Sequence, residues 1–476
     1  MGLAQWWRRL QLLCGARPGF HDWIMFPHLF SGGMSAHQAQ RTPLAAAEIE
    51  PVIESVFDHR QTVAFHRLVT LGPGLLPVVK RLLADPRSAT VVWPRTMLSH
   101  SMDPQSPLQR ICDLMQHACD DDCIRLLCGL FPLTSPRWEY AALALARQGG
   151  PLGLAEVSAA LTGGDSHVIS FTLMGITAAG EADRLAPAAR DAWLPLVAAL
   201  VPSHDRAPAA LIAIDRTQAA ARLSAADVFH ADAPQLAAII TALNEEELVP
   251  EPARLRALIA ELSQRLPVAT GVTATDAERH RRSWRDRHCI AELLPALASR
   301  PDQDARACIT AFTGNADADL RSAAFKALLI LDGLPDAYAA ARHLEETHGL
   351  DGLPEAVRGY LAALKLLWEV QNGGFAQYLV NGGADHWPDA LLGLRRSGAV
   401  AAASVLQDVV DACGPGGPPQ IQEARREWFA RAFPGLKSRL DAADSSFAGD
   451  EVEAALAAYA NRHRTDFLAG KTPGRD

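Results

Sequence analysis

Along most of the chain, apolar residues recur at steps of three and four. Leu75, Val78, Val79, Leu82 and Leu83 fall at i, i+3, i+4, i+7 and i+8. Leu320, Ala323, Ala324, Ala327, Leu328 and Leu331 follow the same rule, as do Val357, Tyr360, Leu361, Leu364 and Trp368. Each set paints one face of a helix. Few segments alternate with period two, so no sheet is expected. Pro, Gly and Asp interrupt the pattern at spacings that suit helices of about 10–18 residues. Small-residue turns recur as well. Leu71-Gly72-Pro73-Gly74 leads into a helix ending near Leu83, Gly149-Gly150-Pro151 into one ending at Leu161, and Leu331-Asp332-Gly333-Leu334-Pro335 into one ending near Leu344. Antiparallel helix pairs joined in this way and stacked in series make an α-solenoid.

Composition narrows this reading. Of 476 residues, 49% are apolar and 21% charged, which excludes a disordered chain. Aromatics are only 6%, and Ala and Leu abound, which disfavours strands and favours closely packed helices. The net charge of −9 argues against a surface that coats nucleic acid, so duplex DNA is not expected as a partner. No run approaches the roughly 20 apolar residues of a membrane-spanning helix. The eight cysteines include no Cys-x-x-Cys pair and read as reduced, buried thiols of a cytoplasmic protein. Residues 1–33 carry clustered Trp, Pro and Gly without helical period, and are expected to be a poorly structured extension upstream of a natural start at Met34.

The segment Asn315-Ala316-Asp317-Ala318-Asp319-Leu320-Arg321-Ser322-Ala323-Ala324 is similar to the first helix of HEAT repeats, with Asp residues placed to cap the helix and small residues where neighbouring helices touch. Gly163-Gly164-Asp165 leading to Val168 is a fainter copy. This resemblance implies a HEAT-like array over 34–350.

The C-terminal part carries a different signal. Glu369-Val370-Gln371-Asn372-Gly373-Gly374-Phe375-Ala376-Gln377-Tyr378-Leu379-Val380-Asn381 follows an apolar helix over 354–368. Asn-Gly-Gly is a helix stop, because Gly adopts the left-handed region without a Cβ penalty. Phe375, Tyr378 and Leu379 then open a second helix, and Gln377 and Asn381 share a face. Two readings of these residues stay open. They punctuate the fold, or Glu369, Asn372, Gly373, Gly374, Phe375, Gln377, Tyr378 and Asn381 form a partner-binding site.

These residues resemble the bacterial DNA-mimic protein family, whose C-terminal domain carries a Glu-x-x-Asn-Gly-Gly-Phe-x-Gln-Tyr-apolar-x-Asn core. Further features of that family are similar to Ala390-Leu391, Gly398-Ala399, the Leu440, Asp444, Phe447 element, and Leu456 with Tyr459. The resemblance implies an all-helical domain over 351–470 without known catalysis, in a family with at least one member that binds a transcription regulator in place of DNA. A departure accompanies it. Residues 355–476 hold 15 Asp and Glu against 13 Lys and Arg, too weak a negative field to imitate a duplex with two charges per base pair.

Other constellations carry less. Cys112, Cys119 and Cys123 lack the paired spacing of a zinc site. His343 and His348 do not form the His-Glu-x-x-His spacing that puts two ligands on one face. The run Arg279 to His288 places Trp284 among Arg281, Arg282, Arg285 and Arg287, the one local patch suited to an anionic partner. No catalytic residue, cofactor or metal site is nominated. The chain is thus expected to be all-α, a HEAT-like α-solenoid followed by a small helical domain, with a tail at 471–476. Its expected role is non-catalytic protein binding. The alternatives are a nucleic-acid-associated or DNA-glycosylase-like HEAT enzyme, and a toxin-neutralising immunity protein.

Overall fold

The computed structural model describes residues 43–58, 64–91, 106–115, 121–130, 138–163, 165–225, 227–233, 235–266 and 277–469. The extension 1–33, the tail 471–476, Cys14, Cys119 and the side chains of Arg281 and Arg282 lie outside them. Every regular element among the described residues is helical. No described helix is long and apolar enough to cross a membrane. The described residues up to Leu248 form one compact unit and those from Val249 another.

The first unit contains α1 (Ile49–Ser55), α2 (Leu75–Ala84), α3 (Arg87–Thr90), α4 (Pro107–Met115), α5 (Asp121–Leu130), α6 (Trp138–Gln148), α7 (Leu154–Gly163), α8 (Ser166–Glu181), α9 (Pro187–Leu200), α10 (Ala207–Ile214), α11 (Arg216–Leu223) and α12 (Leu236–Glu245). Helices pack on their next-but-one neighbours: α6 on α8, α8 on α10, α10 on α12, and α7 on α9. Small residues let them approach. A Cβ added at Gly175 on α8 would lie 2.5 Å from the Leu143 carbonyl oxygen of α6, and one at Gly180 would strike Ala213 of α10. The Asp165 cap is present as expected, its carboxylate accepting from the Val168 N–H at 2.9 Å, and Asp215 accepts from the Gln218 N–H at 2.9 Å in the same way, satisfying donors that a first turn leaves orphaned.

The second unit contains α13 (Pro252–Arg265), α14 (Ala277–Ser299), α15 (Ala305–Thr310), α16 (Ala318–Leu331), α17 (Ala337–His348), α18 (Glu355–Val380), α19 (Trp387–Ser397), α20 (Val400–Ala412), α21 (Gln422–Ser446), α22 (Gly449–Arg462) and α23 (Arg464–Leu468). Asp317 caps α16 as its sequence suggests, accepting from Leu320 N–H at 3.2 Å, and Asp336 caps α17. One apolar core runs from Leu329 to Phe467 and spans the expected boundary at 350/351. Helix α16 packs on α14 and on α22, and Arg321 and Lys326 of α16 pair with Glu451 and Glu453 of α22. Helix α18 is the centre of the unit, touching α19, α21 and α22. Its contact with α19 is glycine on glycine, Gly359 against Gly393.

Candidate functional site

Helix α18 is not continuous. It runs from Glu355 through Asn372, breaks at Gly373 and Gly374, and resumes at Phe375. Gly374 takes φ +73°, ψ −176°, a region open in practice only to glycine, as the Asn-Gly-Gly pattern predicts. Space forbids a side chain there too, since a Cβ would strike the carboxylate of Asp444. That carboxylate has a task of its own. Its Oδ1 accepts from the Phe375 N–H at 2.7 Å, the donor that the resumed helix would otherwise leave unsatisfied. Phe447 of the same C-terminal element packs edge-on to Phe375, ring centroids 5.5 Å apart. The two most distinctive sequence elements of the domain therefore meet at this kink.

The far end of the resumed segment is held by a residue that sequence reasoning missed. Arg425 of α21 is fully buried, at 0% exposure. Its guanidinium donates to the carbonyls of Leu379 (2.7 Å), Asn381 (2.7 Å), Pro419 (2.7 Å) and Gln420 (3.0 Å), and pairs with Asp385 at 2.6 Å. Arg426 and Gln422 both donate to the Val380 carbonyl. A helix end exposes carbonyls and the negative pole of its dipole, so cationic and amide donors stabilise it. An arginine one position from another on a helix gives no sequence signal for this, because the helix end it holds, at Leu379 and Asn381, lies more than forty residues earlier.

The side chains of the motif divide by position. Phe375 and Tyr378 are core residues at 0% exposure, Asn381 is 3% exposed, and Gly374 is buried. Asn372 and Gly373 are exposed together with Gln371, and Glu369 and Gln377 are half-buried. Three of the candidate residues converge. The Oε2 of Glu369 accepts from Gln377 Nε2 at 2.8 Å and from Asn381 Nδ2 at 2.7 Å. Asn381 Oδ1 and the Tyr378 hydroxyl are buried without a partner among the described residues. Burial pushes the Tyr378 phenol well above its usual range, so it remains neutral.

Elsewhere the chemistry is largely engaged. Trp284 is 58% exposed and stacks on His288 at 5.3 Å, but Arg285 pairs with Asp286 and Arg287 with Asp317. Cys112, Cys123 and Cys289 are buried, and burial pushes the Cys112 thiol up to about 12. No group of three or more metal-ligating side chains occurs among the described residues. A crevice of about 490 Å³ in the first unit is lined by Asp183, Arg190, Asp191 and Asp215, yet Asp183 pairs with Arg190 and Asp215 caps α11.

A family model described as DMP19-like protein matches residues 351–463. No curated protein and no solved structure matches the chain significantly. The matched span holds the kink, the Glu369 network, Arg425 and the Asp444–Phe447 element together. Residues 351–463 of this chain are a DNA-mimic family domain of the DMP19-like type.

Proposed function

We propose that the protein binds another protein through its DMP19-like domain and has no chemistry of its own. The observation that carries this reading is the family's distinctive motif folded so that Gln371, Asn372 and Gly373 stand exposed beside the half-buried Glu369. A loop that presents polar groups on a rigid frame is where recognition usually sits. Direct contact then falls to Glu369, Asn372 and Gly373, while Gly374, Phe375, Gln377, Tyr378 and Asn381 hold the frame. Residues 355–476 carry near-balanced charge, 15 acids against 13 bases, so recognition rests on this local shape and not on a copied array of phosphates. The serial packing of alternate helices in the first unit supports a helical-repeat body for the rest of the chain, placed in the cytoplasm.

The test is capture from the native host with the tagged full chain. A protein retained by the wild type and lost with Asn372→Arg, a substitution at an exposed position, is the expected result. Retention unchanged by Asn372→Arg, with the same protein lost on substituting the first unit, would move the binding surface off the motif.

A further inference from the structure

The Glu369 network has a one-sided hydrogen-bonding character. Both amides turn their NH₂ groups to a single carboxylate oxygen, Oε2. The carbonyl oxygen of Gln377 turns instead toward Gly373. Asn381 Oδ1 is buried with no donor among the described residues. The second oxygen of Glu369 accepts no hydrogen bond among the described residues, and no described Lys or Arg pairs with it. Arg425, the buried guanidinium of the same core, is occupied by Asp385 and four carbonyls. The Tyr378 hydroxyl, also unpartnered, can accept as well as donate. Its ring and Glu369 Cγ both flank Gly383, at 3.5 and 3.6 Å from the position of an added Cβ. The reachable group of the network is therefore the half-buried Glu369 carboxylate, a negative charge with no described cation opposite it, while Asn381 Oδ1 and the Tyr378 hydroxyl lie inside the core.

A carboxylate without a cation selects its ligand by charge. Anions and phosphates are repelled. Lys and Arg are donor-only cations, with three and five N–H groups. We propose that Glu369 anchors a basic side chain of the partner protein, with Gln377 and Asn381 as positioning residues that hold its carboxylate in one orientation. The inference rests on the protein-binding reading above and names the chemistry of that partner. The exposed edge at Gln371, Asn372 and Gly373 gives the approach. Glu369 and Asn372 are three apart on α18, so they are neighbours on its surface.

The probe is a fluorescent peptide of arginines alternating with glycine, followed by anisotropy at low salt with the full chain. Its control is the same peptide with citrulline for arginine, which keeps the shape and removes the charge. The wild type is expected to bind the arginine peptide saturably and to ignore the citrulline one. Glu369→Gln is expected to weaken binding about tenfold, the effect of one charge-assisted contact. Asn372→Arg is expected to do the same by supplying a competing cation three residues away, and its exposed position keeps the variant folded if Glu369→Gln is not. Asp408→Asn removes one exposed carboxylate of α20 and is expected to leave binding unchanged. No binding by the wild type, equal losses in Asp408→Asn and Glu369→Gln, or wild-type affinity in Asn372→Arg would overturn the assignment. Loss of a host protein on Asn372→Arg without any affinity for the arginine peptide would keep the protein-binding reading and reject the basic anchor.

Discussion

Two kinds of contact hold the units, one local and one reaching far along the chain. In the first unit Asp165 and Asp215 cap helices three residues ahead and Gly175 and Gly180 admit a neighbouring backbone, while the buried Arg110 reaches the Ser55 and Asp58 carbonyls more than fifty residues earlier. In the second, the central feature is held from far along the chain. The kink at Gly373 and Gly374 is satisfied by Asp444, 69 residues beyond Phe375, and the end of the resumed helix by Arg425, 46 residues beyond Leu379. Cutting a local cap costs one orphaned donor. Cutting a long-range staple uncovers several buried groups at once, and that asymmetry is measurable.

Arg425→Ala is the largest expected effect. It strands the carbonyls of Leu379 and Asn381 and leaves the part-exposed Asp385 unpaired, and breaking a buried charge pair typically costs about 3–5 kcal/mol. Urea titration monitored by circular dichroism should show it. A loss no greater than that of a surface substitution would mean that the guanidinium is not what holds the helix end.

Gly374→Val comes next, at about 3 kcal/mol or more, because the strained backbone and the collision with Asp444 add. Substituting Val at the exposed Gly373, whose φ of −162° is extended, should cost less. If the two glycines prove equally sensitive, the kink is not placed as described.

Asp444→Ala leaves the buried Phe375 N–H without its acceptor, a loss of about 2 kcal/mol for a bond to a charged group. Asp165→Ala in the first unit should cost about 1 kcal/mol, the usual value of a helix cap. Thermal melts of this pair sharpen the comparison. A cap loss that matches or exceeds the staple loss would erase the distinction between cap and staple.

The same distinction explains what could be read from the sequence. Helical periodicity placed α2, α16 and α18, and local chemistry placed the Asp165 and Asp317 caps and a left-handed glycine at 373 or 374, because each of these depends on residues within a few positions. The motif resemblance singled out both Phe375 and Asp444 but held no information that they touch. Arg425 was invisible, since an arginine among polar neighbours on α21 looks like a solvated face until its acceptors are known. Asn381 looked like a face-sharing partner of Gln377. The two do share Glu369, yet Asn381 lies inside the core, at an extended residue between the end of α18 and the 3₁₀ turn Gly382–His386. The apolar core running across 350/351 was likewise not legible, since packing of α16 on α22 depends on ion pairs and apolar contacts more than a hundred residues apart.

The central claim is that the motif keeps a frame on one side and a recognition group on the other. Gln377 separates the two most directly, because it is half-buried and touches only Glu369 in the hydrogen-bond network. The measurement is the affinity of Gln377→Ala for the arginine peptide, on protein whose melting is checked in parallel. The account predicts a fold that melts close to the wild type, with a loss of at most about 1 kcal/mol, and an affinity reduced several-fold as Glu369 loses its orientation. Unchanged affinity in Gln377→Ala would contradict it and leave the Asn-Gly-Gly-Phe segment as punctuation of the fold.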